Sequence, residues 1–255
     1  MDVLTTLVPL SLLAYAAGVT LLAGVVKGAV GFAMPLVMVS GLSLVMEPYL
    51  AVAALILPIV MSNGLQVLKA GLGNAMDAIR EFWIYISLVC VMILITAQFL
   101  TSIPAQTMYL VLGIPVVLLC GIQLAGLKIV IAEKWRRTAS VVAGLLAGTM
   151  GGMAGTWGPP TVLYLVAVDT PKVRQIVVQG VIYGLGSVML LLGHLRSGVL
   201  NGQTIWLSGV LLLPAFVGMW MGFRIQDRID QATFRKATLA VLLIAGLNLV
   251  RRGLT

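Results

Sequence analysis

Gly24-Val25-Val26-Lys27-Gly28-Ala29-Val30-Gly31-Phe32-Ala33-Met34-Pro35 decides the fold, because it returns as Gly148-Thr149-Met150-Gly151-Gly152-Met153-Ala154-Gly155-Thr156-Trp157-Gly158-Pro159-Pro160. One ungapped shift of 124 positions aligns the two stretches. Leu21-Leu22-Ala23-Gly24 falls on Leu145-Leu146-Ala147-Gly148, Gly28 on Gly152, Gly31 on Gly155 and Pro35 on Pro159: seven identities in fifteen columns. Glycine opens backbone conformations closed to other residues, and proline suits the first turn of a helix, where its missing N–H is no loss. Each copy therefore predicts one helix ending, a bend, and a second helix starting. A helix N-terminus presents free N–H groups and partial positive charge, which together make an anion site. If the copies are related by inversion, two such termini aim at a shared centre. The same glycines also fit simple packing. Gly24-x-x-x-Gly28 and Gly144-x-x-x-Gly148-x-x-x-Gly152 are small-residue faces that let membrane helices approach closely. The residues admit both readings.

Composition sets the class. Hydrophobic residues make up 60% of the 255 positions and charged residues 9%, against about a quarter charged in a soluble domain. The apolar runs come near the roughly 20 residues a spanning helix needs. They are continuous rather than alternating, which excludes a β-barrel and predicts an all-α polytopic membrane protein. The net charge of +8 fits basic cytoplasmic loops, so no nucleic-acid partner is expected. The start at Met1-Asp2 lacks the basic region of a signal peptide, and the stretch after it reads as a retained first helix. Cys90 and Cys120 lie inside apolar runs and read as packing. No Cys-x-x-Cys pair and no cluster with metal-ligand spacing occurs, so neither a metal nor another cofactor is expected. Mid-span positions hold no paired Ser/His and no paired carboxylates, which argues against an enzyme.

The segments read as 7–26, 29–46, 49–68, 82–100 and 105–126, then 139–154, 157–168, 174–195, 203–223 and 234–250. The chain thus divides into a first transmembrane repeat, 1–127, and a second, 128–255. Each has five segments, or three spans if its first two form a re-entrant hairpin. Both counts are odd, so the second repeat is inverted, an arrangement typical of transporters with substrate at the repeat interface. Residues 139–168 are too few for two full spans, which points to broken or re-entrant helices at the glycine/proline motifs. Alternating topology puts thirteen of the sixteen basic residues on one side, and Arg196, Arg251 and Arg252 on the other. The positive-inside rule then places both termini outside, in the periplasm of a bacterial inner membrane. Trp83, Tyr85, Trp206, Trp220 and Phe223 read as interface anchors.

Candidate binding residues follow from depth. Lys27 stands beside the first bend, where its counterpart is Gly151. An intramembrane charge is a functional candidate, with a loop charge or a snorkelling side chain as the other reading. Gly28, Gly31, Phe32, Gly152, Gly155 and Thr156 belong to the two bends. Trp157 either walls the site or joins the outer aromatic belt. Ser62 and Asn63 interrupt the third segment. Asn63 aligns with Ser187, and Tyr183 lies one turn before it. These polar groups suit a bound oxyanion or interhelical hydrogen bonds. His194 and Arg196 read as a solvated helix end. All eight carboxylates fall at segment ends or in loops, so no deep proton relay is visible. An inside-negative potential alone drives an anion outward, by about 2.3 kcal/mol per charge per 100 mV.

At these motifs the chain resembles the sulfite exporter TauE/SafE family. The resemblance rests on Gly28-x-x-Gly31-Phe32 and on Gly152-x-x-Gly155-x-x-Gly158-Pro159. It rests also on Leu213-Pro214-x-x-x-Gly218-x-x-x-Gly222-x-Arg224-Ile225 followed by Phe234-Arg235-Lys236. It covers almost the whole chain. It implies a membrane transporter exporting sulfite or an organosulfonate such as sulfoacetate from the cytoplasm. Ala33 stands where the family commonly has glycine, and Trp157 where it has a small residue, so an indole reshapes the pocket. The expected function is therefore anion export by alternating access. The alternatives are an anion channel, or a carrier of another small organic anion in either direction. The expected partners are a small anion and the lipid bilayer, and the sequence is compatible with a homo-oligomer.

Overall fold

In the computed structural model, which describes residues 9–126, 130–226 and 231–255, all regular structure is helical. The first part of the chain forms α1 (Leu10–Val30), α2 (Met34–Leu42), α3 (Pro48–Ala70), α4 (Leu72–Glu81), α5 (Trp83–Ala97) and α6 (Ala105–Leu124). The rest forms α7 (Arg136–Ala154), α8 (Gly158–Ala167), α9 (Lys172–Arg196), α10 (Thr204–Val210), α11 (Leu212–Gln226) and α12 (Gln231–Leu254). The expected boundary at 127/128 lies outside the described residues, as do Asp2, Lys128, Asp227, Arg228 and Asp230.

Length separates spanning helices from short ones. Ser11–Ala29, Pro48–Leu68, Ala105–Leu124, Val177–Arg196 and Thr204–Ile225 are each long and apolar enough to cross a membrane. The chain is a polytopic α-helical membrane protein. α2 and α8 have 9 and 10 residues, only about 15 Å at 1.5 Å per residue, half of a bilayer's hydrocarbon core. Each folds back on the helix before it. Gly41 on α2 faces Val19 on α1, and Tyr15 donates to the Gly41 carbonyl at 3.2 Å. Ile131, ahead of α7, donates to the Ala167 carbonyl at the end of α8 at 2.8 Å. The first bend falls at 31–33 rather than at 26–29. Gly28 did not end the helix because it faces the Met219 backbone, where close approach is what a glycine supplies.

One helix was not expected. α4 buries Ala75 and Ala78 and exposes Asp77, Arg80 and Glu81, a one-sided pattern of an interfacial helix. It meets α5 at 88°. Its charges kept it out of an apolar-run reading. The ninth expected segment bends at Leu211, because the Pro214 ring clashes with the carbonyl four residues before it, Val210. Pro58 inside α3 likewise orphans the Ala54 carbonyl. There Ser208 of α10 repairs the ladder, donating to Ala54 O at 3.1 Å and accepting from Leu57 N–H at 2.9 Å.

The helices pair in a definite sense. α1 runs parallel to α11: Gly24 faces Ala215, Gly28 faces Met219, and Gly222 faces Val25 and Ala29. α7 runs parallel to α5: Gly144 faces Leu88, Gly148 faces Met92, and Gly152 faces Ile93 and Thr96. α6 and α12 are antiparallel, with Gly113 against Gly246 and Gly253 against Leu110. α3 and α9 are antiparallel too, since Asn63 meets Tyr183 while Gln66 meets Gly180. At one end of the bundle Glu81 pairs with Arg174 at 2.8 Å and with Arg136 at 3.8 Å. At the other, Arg252 stacks on Tyr109, 4.7 Å from its centroid, and donates to the Ser43 carbonyl.

Trp83, Trp206, Trp220 and Phe223 are exposed on the outer surface, as anchors should be. Tyr85 is not. It is fully buried, stacked on Tyr164 at 4.9 Å and bonded to Thr161 at 2.8 Å. His194 is also buried rather than solvated, while Arg196 is exposed.

Candidate functional site

The two hairpins bring their tips to one cavity. At the first tip Gly31 adopts φ 85° and closes α1 with its N–H on the Lys27 carbonyl. Ala33 is also left-handed, at φ 75°, and Pro35 opens α2. At the second tip Gly155 adopts φ 65° and closes α7 with its N–H on the Gly151 carbonyl at 2.6 Å, the same left-handed end as at Gly31. Trp157 caps α8, whose first turn is Gly158-Pro159-Pro160. The expected fan of free N–H groups is therefore thin there. Two prolines remove two donors and leave Gly158. The first turn of α2 keeps Met34 and Leu36 as donors.

Lys27 lies in the last turn of α1 and is 4% exposed. It is neither a loop charge nor a snorkelling one. Its ammonium donates to Asn63 Oδ1 at 2.6 Å and to Gln66 Oε1 at 3.1 Å. Both amides are held in turn. Asn63 Nδ2 donates to the Tyr183 carbonyl at 3.1 Å, and Gln66 Nε2 to the Gly31 carbonyl at 3.0 Å. Among the described residues no carboxylate pairs with Lys27. The ammonium sits 5.9 Å from the Tyr183 ring centroid. Tyr183 is 1% exposed, and among the described residues its hydroxyl has no partner.

Of the expected residues, Lys27, Phe32, Asn63, Gly155, Thr156, Trp157 and Tyr183 line the cavity. Gly28 and Gly152 sit in helix contacts instead, against Met219 and Thr96. Gly31 shapes the tip and gives its carbonyl to Gln66. Ser62 and Ser187 donate to carbonyls of their own helices, Ile59 at 3.1 Å and Gly184 at 2.8 Å. The sequence reading missed Ala33, Pro35, Leu36, Ile59, Gly158 and Pro159 in the lining, and Gln66 behind Lys27. Gln66 had a signal: it stands three residues after Asn63, on the same helix face.

Burying an ammonium against neutral amides alone is costly. An anion in the cavity would offset that cost, with a tyrosine hydroxyl ready to donate. Among the described residues no group of three His, Cys, Asp or Glu side chains is placed to share a metal ion.

No curated protein and no solved structure matches the chain. The family model described as sulfite exporter TauE/SafE matches residues 16–249. With that match across nearly its whole length, the chain belongs to the TauE/SafE family, whose members are membrane transporters of sulfite or related anions.

Proposed function

We propose that this chain exports a small sulfur oxyanion from the cytoplasm by alternating access, binding it between the two hairpin tips. The observation that carries the reading is the buried Lys27 ammonium, which among the described residues pairs with no carboxylate and lines a cavity with Tyr183, whose hydroxyl has no partner among them. In lipid such a charge is retained for a function. Here the anion takes the third ammonium donor, the Tyr183 hydroxyl and the N–H groups at the start of α2.

The moving parts are two inverted repeats, 1–127 and 128–255. Support comes from helix direction: α3 and α9 begin 124 positions apart, α6 and α12 about 126, and each pair runs antiparallel. Inversion requires this of symmetry mates. Exchanging the halves also turns the α1–α11 pair into the α7–α5 pair, and both are parallel. Both termini then lie outside, with the Glu81–Arg136–Arg174 end facing the cytoplasm. The membrane potential drives export.

Counterflow in liposomes tests the reading. External labelled sulfite should accumulate in vesicles preloaded with unlabelled sulfite, and saturate. Flux without trans-acceleration would make the protein a channel, and no sulfite flux or binding at all would sink the assignment. Reporters after Thr255 and in the 130–137 segment should read outside and inside respectively.

A further inference from the structure

We infer that Trp157 is the specificity-determining residue of this site and that it admits a bare oxyanion while refusing one that carries an organic tail. The inference rests on the anion-site reading above and narrows its substrate class.

The indole occupies room made for it by the missing side chain of Gly151 and lies in ordinary contact range of Gly186. A Cβ on Gly151 would lie 2.8 Å from Trp157 Cε3, and one on Gly186 would lie 3.6 Å from Cδ2 and Cε2. The ring stands 6.4 Å from the Tyr183 ring, is 2% exposed, and lines the cavity that Lys27 also lines. The shift of 124 positions pairs Trp157 with Ala33 and Gly151 with Lys27. The halves thus exchange a long side chain between two positions. In the first, the lysine reaches in and the capping residue is a methyl. In the second, the capping residue reaches in and the helix supplies a bare glycine. The cavity gains one charged wall and one rigid aromatic wall.

Size then decides the cargo. The cavity leaves about 20 Å³ to the centre of a water molecule. Gathered into one sphere, that is a radius of about 1.7 Å for the centre, or roughly 3 Å once a water's own 1.4 Å is added, about the reach of a sulfur bearing three oxygens. A carboxymethyl tail, as in sulfoacetate, needs further space, and the bulkiest side chain filling the lining is the Trp157 indole. The ring cannot fold aside without leaving the Gly151–Gly186 slot. Thr156 and Gly158, its chain neighbours, are buried, so the backbone beneath it is packed as well.

Binding of sulfite and of sulfoacetate to purified protein in nanodiscs, by calorimetry, tests this on the natural chain, Trp157→Ala, Trp157→Phe and Lys27→Met. The natural chain should prefer sulfite by about 100-fold, the scale on which a shaped pocket rejects a larger ligand. Trp157→Ala should raise sulfoacetate affinity about tenfold or more and move sulfite less, with Trp157→Phe between the two. If Trp157→Ala is not recovered as a monodisperse species, Trp157→Phe carries the same ratio test. Equal binding of both anions by the natural chain overturns the inference, as does an unchanged ratio in a folded variant. Either result leaves the anion site standing, provided Lys27→Met weakens both anions. If Lys27→Met weakens neither, the site reading fails first.

Discussion

Lys27 and Gln66 hold the positions at the first hairpin tip that Gly151 and Leu190 hold at the second. Around them the backbones match. Each tip has a left-handed glycine that ends a long helix, and each has a proline in the first turn of a short one. The side chains do not match. The first tip carries a buried cation and two amides that fix it. The second carries an indole and a double proline. Repetition has kept the bend and let the lining diverge. A two-fold arrangement of helices therefore need not make a two-fold site. On the proposed reading, the charge that would draw an anion belongs to one half and the wall that would size it to the other.

The largest expected effect tests what the halves share. A Cβ on Gly28 would collide with the Met219 backbone carbonyl, and one on Gly152 with Thr96 Oγ1 and the Ile93 carbonyl. Backbone cannot step aside as a side-chain tip can, so overpacking at the high end of about 1–3 kcal/mol or beyond is expected. Gly28→Ala and Gly152→Ala should each lose most folded protein, read as the monodisperse fraction and Tm. If one is tolerated and the other is not, the halves do not share a packing frame, and the inverted-repeat reading weakens.

The next effect tests where they differ. Lys27→Met keeps an unbranched chain and removes the charge. A charge-assisted hydrogen bond is worth about 1.5–3 kcal/mol, so anion affinity should fall about 10- to 150-fold with Tm little changed. Unchanged affinity in folded protein would remove Lys27 from the site and return the comparison to backbone alone.

A smaller effect grades the two left-handed glycines. Alanine in this conformation costs about 1–2 kcal/mol. At Gly31 the added carbon has room, 3.5 Å from Gln66 Nε2. At Gly155 it also meets Ile59 Cδ1 at 2.9 Å. Thermal unfolding should therefore show Gly155→Ala losing more stability than Gly31→Ala, by about 1 kcal/mol. The reverse order would mean that the first tip, not the second, is the tightly packed one.

The sequence made the hairpins legible because glycine and proline act through the backbone, and backbone preferences are local. It made the spanning helices legible because lipid demands continuous apolar runs. It placed the first bend too early because Gly28 looks like Gly31 until Met219, nearly two hundred residues on, is brought against it. It could not sort Ser62 from Asn63. These neighbours differ by about 100° around the helix, and only the packing of α9 shows that Asn63 turns to Lys27 while Ser62 bonds its own helix. Gln66 escaped for the same reason.

Gln66→Leu, the smallest of these effects, asks how the charged tip works. The substitution gives the first tip the residue that Leu190 supplies to the second. It removes an acceptor 3.1 Å from the Lys27 ammonium and a donor 3.0 Å from the Gly31 carbonyl. An ammonium has three donors. Asn63 and Gln66 take two, so the third is free for the cavity, and an arriving anion need not displace either amide. Gln66 then acts by aiming Lys27, and its loss should weaken anion binding about fivefold, the worth of roughly one net hydrogen bond. Asn63, at 2.6 Å, still holds the ammonium, which is why the loss stays below that of Lys27→Met. Leu190→Gln, the reverse exchange, should leave affinity where it was, because Gly151 offers no cation to aim. Tighter binding in Gln66→Leu would show that the anion competes with Gln66 for the same proton. The empty site would then be held shut by the amide it must lose, and the first tip would be a latch as well as a binding wall.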